Sequence, residues 1–574
     1  MTFDATYREE IAFLREMGRE MALRHPGLCD TLAQPGCDPD VERLLEGFAF
    51  VAARTRERAD DAVPEVIDAI AEVVAPHALR PVPASTVMEL SPRAALLRER
   101  VTVPAGAAFG SRPVDGVRCE LRSSWDVDLT PITVARSRID RSLARAPALS
   151  ISLRTPRAAI EGAHAARPLR FFIHAPLAPA SLLAAAIDRR LARVQVHSGE
   201  TETPLGRSAS LVDADREPHL PWPESSPAGA RHLVELGFFP ERHLFFDLVG
   251  LERVPPRART ESLEIRLEFA PDTPLPDALA EDAIRLHCVP AVNVFRCDAE
   301  PISWRDDVRD APLRAAGLPP GAIEVLEVRS VVGLAEAGRG RRGYRSFARF
   351  EHLGAGASEG YFALRRRRSP LDGSVDTFLR VGARGTTGLE TLSVELECTN
   401  RTLATKLRTG DVCEPIARSP SVATFTNLTP LGPRAPGRTG QDALYALVGA
   451  SASGHRARLS VAALTSWLAT CAVPHASDAA RARACSSLAE AVRAVVERPF
   501  RAARRGVIER GVAVEIELDE ARIPSLGEAF LLGRALDHAL ASELPLNVRQ
   551  QLCAVLSPSK TRLEFPLRSA LGAP

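Results

Sequence analysis

Several things are scarce in this sequence, and each shortage removes a class of function. Lysine is nearly missing: Lys406 and Lys560 stand alone, and every other residue of the Lys+Arg total is arginine. Charge of one sign does not dominate, because 73 Lys+Arg balance 72 Asp+Glu for a formal net charge of +1. A protein built mainly to coat phosphates carries a clear basic surplus, so no nucleic-acid partner is expected. Close cysteine pairs are missing too. The ten cysteines lie at 29, 37, 119, 288, 297, 398, 413, 471, 485 and 553, with no C-x-x-C among them. Zinc ribbons and thiol-exchange centres need such pairs, so free and mostly buried thiols of a reducing compartment are expected instead. No apolar run approaches the roughly 18–20 residues that cross a bilayer. The best candidate, Ala175 to Ile187, is short and contains Pro176 and Pro179. Met1 to Glu10 holds acids and no apolar stretch, unlike a signal peptide. These features predict a cytoplasmic protein with no direct membrane insertion.

What is present is ordinary globular material on a large scale. Hydrophobic residues make up 45% and charged residues 25% of the 574 positions, which excludes disorder over the whole chain. At about 150 residues per domain, the length predicts roughly three to four domains. The arginine bias has two explanations. Arginine suits interfaces through its planar, weakly hydrated fork, and a GC-rich genome yields the same count.

The pattern divides the chain into four ranges: a helical region over 1–80, a β-rich domain with a helix over 81–250, a second β-rich domain over 251–430, and an α/β domain over 431–574. In the first, Tyr7, Ile11, Leu14, Met17 and Met21 fall at near-helical spacing, and His25-Pro26-Gly27 ends the run. Asp38 as N-cap and Pro39 at the first turn open a second helix with the stripe Val41, Leu44, Leu45, Phe48 and Val51. Pro64 opens a third, closed by Pro76. From Pro81 onward, prolines punctuate short Val/Leu/Phe runs that read as strands in sandwich-like or barrel-like domains. Examples are 101–103, 169–173, 263–269, 361–364 and 392–398, with one helix expected over 181–192. A linker is expected at 430–437. Helices over 443–448, 461–468, 479–496 and 527–540, with a strand over 512–518, complete the α/β end. The fold class is thus α+β multidomain, with no solenoid repeat.

The motifs weaken on inspection. Gly338 to Gly343 matches G-x-G-x-x-G, but no helix signal follows, so a solvated loop is expected rather than a dinucleotide cradle. Gly356 to Gly360 matches G-x-S-x-G, yet Tyr361 to Leu364 reads as a strand where a nucleophile elbow needs a helix. A hydrolase using Ser358 is therefore a remote alternative. Arg365 to Arg368 reads as a solvated strand end. His287, Cys288 and Cys297 lack a fourth ligand at useful spacing, and core thiols are expected. Nothing assembles catalytic, cofactor-binding or metal-binding residues.

Specific strings carry more. Tyr7 to Glu10, Phe13 to Glu16, His25-Pro26, and Asp38-Pro39 with Val41 to Phe50 resemble the opening of the TssF family, the type VI secretion baseplate subunit also called VasA or ImpG. Phe239 to Glu241 with Leu244 to Leu248, Asn293 to Phe295 with Ala299 to Ile302, and above all Thr391 to Arg401 are similar to later landmarks of that family, in family order. Beyond residue 430 the likeness thins to Phe530 to Gly533. The resemblance implies a non-enzymatic wedge subunit without cofactor, related to wedge proteins of contractile phage tails. It further implies pairing of two copies with one TssG, contacts with TssK and TssE around the VgrG spike, initiation of the Hcp tube and contractile sheath, and indirect docking to the inner-membrane complex on its cytoplasmic side. A wedge protein of another contractile particle is the alternative. Under this resemblance Leu14, Leu44, Leu45 and Phe48 are the candidate interface residues, facing helices of TssG or of a second copy.

Overall fold

The computed structural model describes residues 3–569 apart from 26, 28–37, 56–78, 94–96, 98–99, 142–145, 155–166, 200, 214–216, 224–225, 227, 255–261, 306–309, 320, 336–339, 348–359, 370–373, 384–388, 440–458, 472–486, 488 and 505–506. The chain opens with helix α1 (Phe3–Arg24) and helix α2 (residues 39–55). Asp38 caps α2 as the sequence suggests, its Oδ1 accepting from the backbone N–H of Asp40 at 3.0 Å. The expected third helix over 64–76 and the expected helix over 443–448 lie outside the described residues.

Beyond residue 80 the chain is β-rich, with several sheets whose strands come from distant parts of the sequence. In the first, the strand order is 423–427, 85–92, 288–292, 117–123 and 108–114. The second runs 201–206, 191–198, 262–269, 148–154 and 133–140, and the third runs 209–211, 245–248, 169–173 and 284–286. Aromatic residues meet across the third in register, Phe245 opposite Phe172 and Phe246 opposite Phe171. Such cross-strand pairs stabilise a sheet when its face is buried, and Trp125 closes this cluster edge-on against Phe245 at 5.1 Å. Helix α3 (Leu177–Arg189), helix α4 (Ala228–Phe238) and helix α6 (Leu526–Ala541) pack around the same core, with helix α5 (Val461–Cys471) against α4. One continuous set of buried residues joins Val82 to Phe565.

An eight-stranded sheet over residues 295–399 has its own core, which includes Phe295, Trp304, Leu379, Leu392 and Leu396. The chain enters and leaves it at one place. Asn293, fully buried, donates to Glu120 O at 2.9 Å and to Asn400 Oδ1 at 2.8 Å. Its own Oδ1 accepts from the Asn400 N–H and the Thr399 hydroxyl, both at 2.8 Å. The two most specific strings of the sequence, Asn293 to Phe295 and Thr391 to Arg401, therefore meet in a neck between two cores. Buried amides there need partners, and each supplies the other's.

The last sheet pairs 492–504 with 507–519 antiparallel, and 507–519 with 548–557 in parallel. A parallel pair requires a crossover, and α6 supplies it. Three expectations need correction. Residues 492–496, expected as the end of a helix, form a strand, because Val492, Val495 and Val496 pair with 515–518 and Pro499 cannot continue a helix. Arg341 to Gly343, expected in a loop, begin the strand Arg341–Ser346, with Gly343 opposite Val332. The segment 430–437, expected as a linker, is a strap laid on the first sheet. Leu431 and Ala435 are buried, and Ala435 exchanges backbone hydrogen bonds with Val82. Extended proline-rich chain has no internal hydrogen bonds, so its free backbone groups can bond a neighbouring strand.

Candidate partner-binding surface

Helices α1 and α2 put small residues inside and large ones outside. Ala22, Ala49 and Ala53 are buried, with Ile11 and Thr6. Phe13, Met17, Met21 and Leu23 of α1 are exposed, as are Leu44, Phe48, Phe50 and Val51 of α2. These eight are the majority of the large exposed hydrophobic residues among the described residues. Arg15 bridges the two helices, its Nε donating to Glu42 Oε1 at 2.7 Å. Apolar side chains at this density in water make the helical pair a candidate interaction surface, because scattered singletons are the norm on a monomer.

Of the four residues singled out from sequence, the structure places Leu44 and Phe48 on this surface, 63% and 66% exposed. Leu14 and Leu45 are half-buried beside them. Sequence periodicity missed Phe13, Leu23 and Phe50. Leu23 and Phe50 stand off the main apolar stripe, on faces that a two-sided helix would give to solvent, whereas Phe13 lies one turn before Met17 on the same face.

Of the other sequence candidates, His287, Cys288 and the Arg365 to Arg368 run are absorbed by structure. Ser358 lies outside the described residues, and Gly360 opens the strand Gly360–Arg368. Arg365 to Arg368 do end that strand, with Asp310 collecting Arg365, Arg367 and Arg380. His287 has a positive φ of 58° and is buried, its Nε2 3.1 Å from the Thr130 N–H that donates to it. Burial pulls its pKa down to about 4, so the ring is neutral and serves as an acceptor. Cys288 is buried and its thiol is pushed well above the ordinary value, chiefly by that burial. Among the described residues, no group of three or more His, Cys, Asp or Glu side chains could hold a metal ion. A cavity of about 160 Å³ beside His287 is lined by charges that already pair, Arg170 with Asp247 at 2.8 Å and with Glu217 at 3.4 Å. No described helix is long and apolar enough to cross a membrane.

A framework of sheets around two cores, with an apolar helical pair left uncovered, suits a piece of a larger assembly, and the comparisons bear on which. Residues 1–570 match the family described as Type VI secretion system, TssF. The chain belongs to that family. It is 29% identical over 353 residues to the type VI secretion system component TssF1 of Pseudomonas aeruginosa, an alignment covering 57% of this chain and 57% of that relative. The structure is similar to a chain in the type VI secretion system TssK-TssF-TssG baseplate subcomplex. That match has a TM-score of 0.75 at 25% identity and covers 92% of this chain and 98% of that one. A chain in a type VI baseplate complex shares the fold at TM-score 0.61 and 22% identity, each chain fully covered. Family membership favours the type VI reading of the sequence over another contractile particle. The match reaches residue 570, so the thinning of recognisable strings beyond 430 reflects divergence within the family.

Proposed function

We propose that this chain is a structural wedge subunit of a type VI secretion baseplate. In this reading two copies pair with one TssG through the helices of the N-terminal surface, and the unit joins TssK and TssE around VgrG to start the Hcp tube and sheath, on the cytoplasmic side of the inner membrane. No catalytic role is assigned. The observation that carries the reading is the family match over residues 1–570 together with the exposed apolar face of α1 and α2. Obligate interfaces bury about 2,000 Å² or more and are more apolar than transient ones, which is the composition found here. Co-expression with a TssG from the same genome tests the proposal. A stable soluble complex is expected, and the chain alone should self-associate through the same face. A monodisperse monomer that ignores TssG would overturn it.

A further inference from the structure

We infer that Cys297 and Cys398 are a redox pair that closes to a disulfide across the neck of the eight-stranded sheet when the protein meets a peroxide. Strand Phe295–Asp298 runs antiparallel to strand Glu390–Thr399, with Phe295 opposite Cys398 and Cys297 opposite Leu396. Side chains two residues apart on a strand share a face, so Cys297 and Cys398 are diagonal neighbours on one side of the sheet. Their sulfurs are 3.7 Å apart, although the residues are separated by 101 positions in sequence. Cys398 is fully buried, whereas Cys297 lies at the rim of the core and is partly accessible. This is the arrangement of an attacking thiol open to a small oxidant with a resolving thiol behind it.

The surroundings support the assignment. The hydrogen bond between the two sulfurs lowers the Cys297 pKa, favouring the nucleophilic thiolate at the accessible position. Cys288 and Cys413, by contrast, direct their sulfurs at backbone oxygens, those of Leu286 and Asp411. The reaction balances with hydrogen peroxide as the oxidant. The Cys297 thiolate attacks one peroxide oxygen, the O–O bond breaks, and the departing hydroxide takes a proton to leave as water, giving a sulfenic acid. The Cys398 sulfur then attacks that sulfur, the S–O bond breaks, and hydroxide leaves with the Cys398 proton as a second water. Two thiols are oxidised to one disulfide and one peroxide is reduced. The new bond joins the strand that enters the sheet to the strand that leaves it, beside the Asn293–Asn400 clamp. The neck would then be held covalently as well as by hydrogen bonds.

Peptide mapping of the full chain tests this. The reduced protein is freed of reductant, treated with hydrogen peroxide, alkylated under denaturing conditions and digested. The expected result is loss of two hydrogens and a Cys297 peptide linked to a Cys398 peptide, reversed by dithiothreitol, while Cys119 and Cys288 stay alkylated. In Cys297→Ser, Cys398 should remain a free thiol. In Cys398→Ser, Cys297 should continue to sulfenic and sulfinic acids. Recovery of both wild-type residues as free thiols, or of Cys297 as an acid without the cross-link, would overturn the inference, and that measurement needs no variant to fold.

Discussion

Phe48→Ala separates a residue held for a partner from one held for the fold. Phe48 sits on α2 with 66% of its surface in water. A buried aromatic side chain removes at least about 150 Å² from solvent, so a partner covering Phe48 takes away roughly 100 Å² more than the chain itself does. At roughly 25 cal/mol per Å², less the part that alanine retains, the substitution should weaken TssG binding by about 2 kcal/mol, or roughly 30-fold. The isolated chain should lose almost nothing, within about 0.5 kcal/mol, because no internal contact of that size is given up. Alanine is also the better helix former, so α2 is not weakened locally. The assay is a titration of the variant against immobilised TssG, run beside a thermal melt of the variant alone. Unchanged affinity would refute the role assigned to this face. A melt displaced as far as a core truncation displaces it would show that Phe48 is packed within the chain.

Three further outcomes follow from the interior. Glu235 and Arg242 form a buried ion pair, and Glu235 Oε1 also accepts from Trp222 Nε1 at 2.7 Å. Arg242→Met leaves that carboxylate uncompensated and should cost about 3–5 kcal/mol in urea unfolding. Gly527→Ala would favour an isolated helix by up to about 1 kcal/mol, but its new Cβ would run into the Leu182 backbone nitrogen. Overpacking of α6 on α3 should reverse the sign, with a net loss of about 1–3 kcal/mol and a lower melting temperature. For pH, His287 binds a proton near pH 4 when folded and near its ordinary value of 6.5 when unfolded. The unfolded chain therefore binds more protons between these values, and stability should be full above 6.5 and fall as pH drops toward 4. His287→Asn, which tolerates positive φ, should remove one proton from that slope in urea midpoints measured across the window.

The legibility of this fold varied with how local each cause was. The Asp38 cap, the strand over 169–173 and the helix over 527–540 were readable because capping and periodicity act within a few residues. The strand over 492–496 was not, because Ala, Arg and Glu around the valines suit a helix until residues 507–519 offer a pairing partner. The strap over 430–437 resembles a linker in sequence for a related reason. Proline and glycine signal irregular chain equally well whether it is free or bonded to Val82. At the candidate surface the sequence could nominate Leu44 and Phe48, but not Leu23 or Phe50. Which apolar side chains remain in water depends on what the rest of the chain covers.

Composition and short strings already point to the family of this chain. Near-neutral charge and scattered cysteines carry no signal of a phosphate-coating surface or a metal centre, and the strings from Tyr7 to Arg401 carry the likeness to a family. Those are properties of composition and short-range order. Folding adds that Asn293 and Asn400 lock one neck, that Cys297 and Cys398 touch across 101 residues, and that α1 and α2 bury alanines while showing phenylalanines to water. Each of these is a coincidence in space between residues remote in sequence, set by strand register and packing that no local pattern encodes.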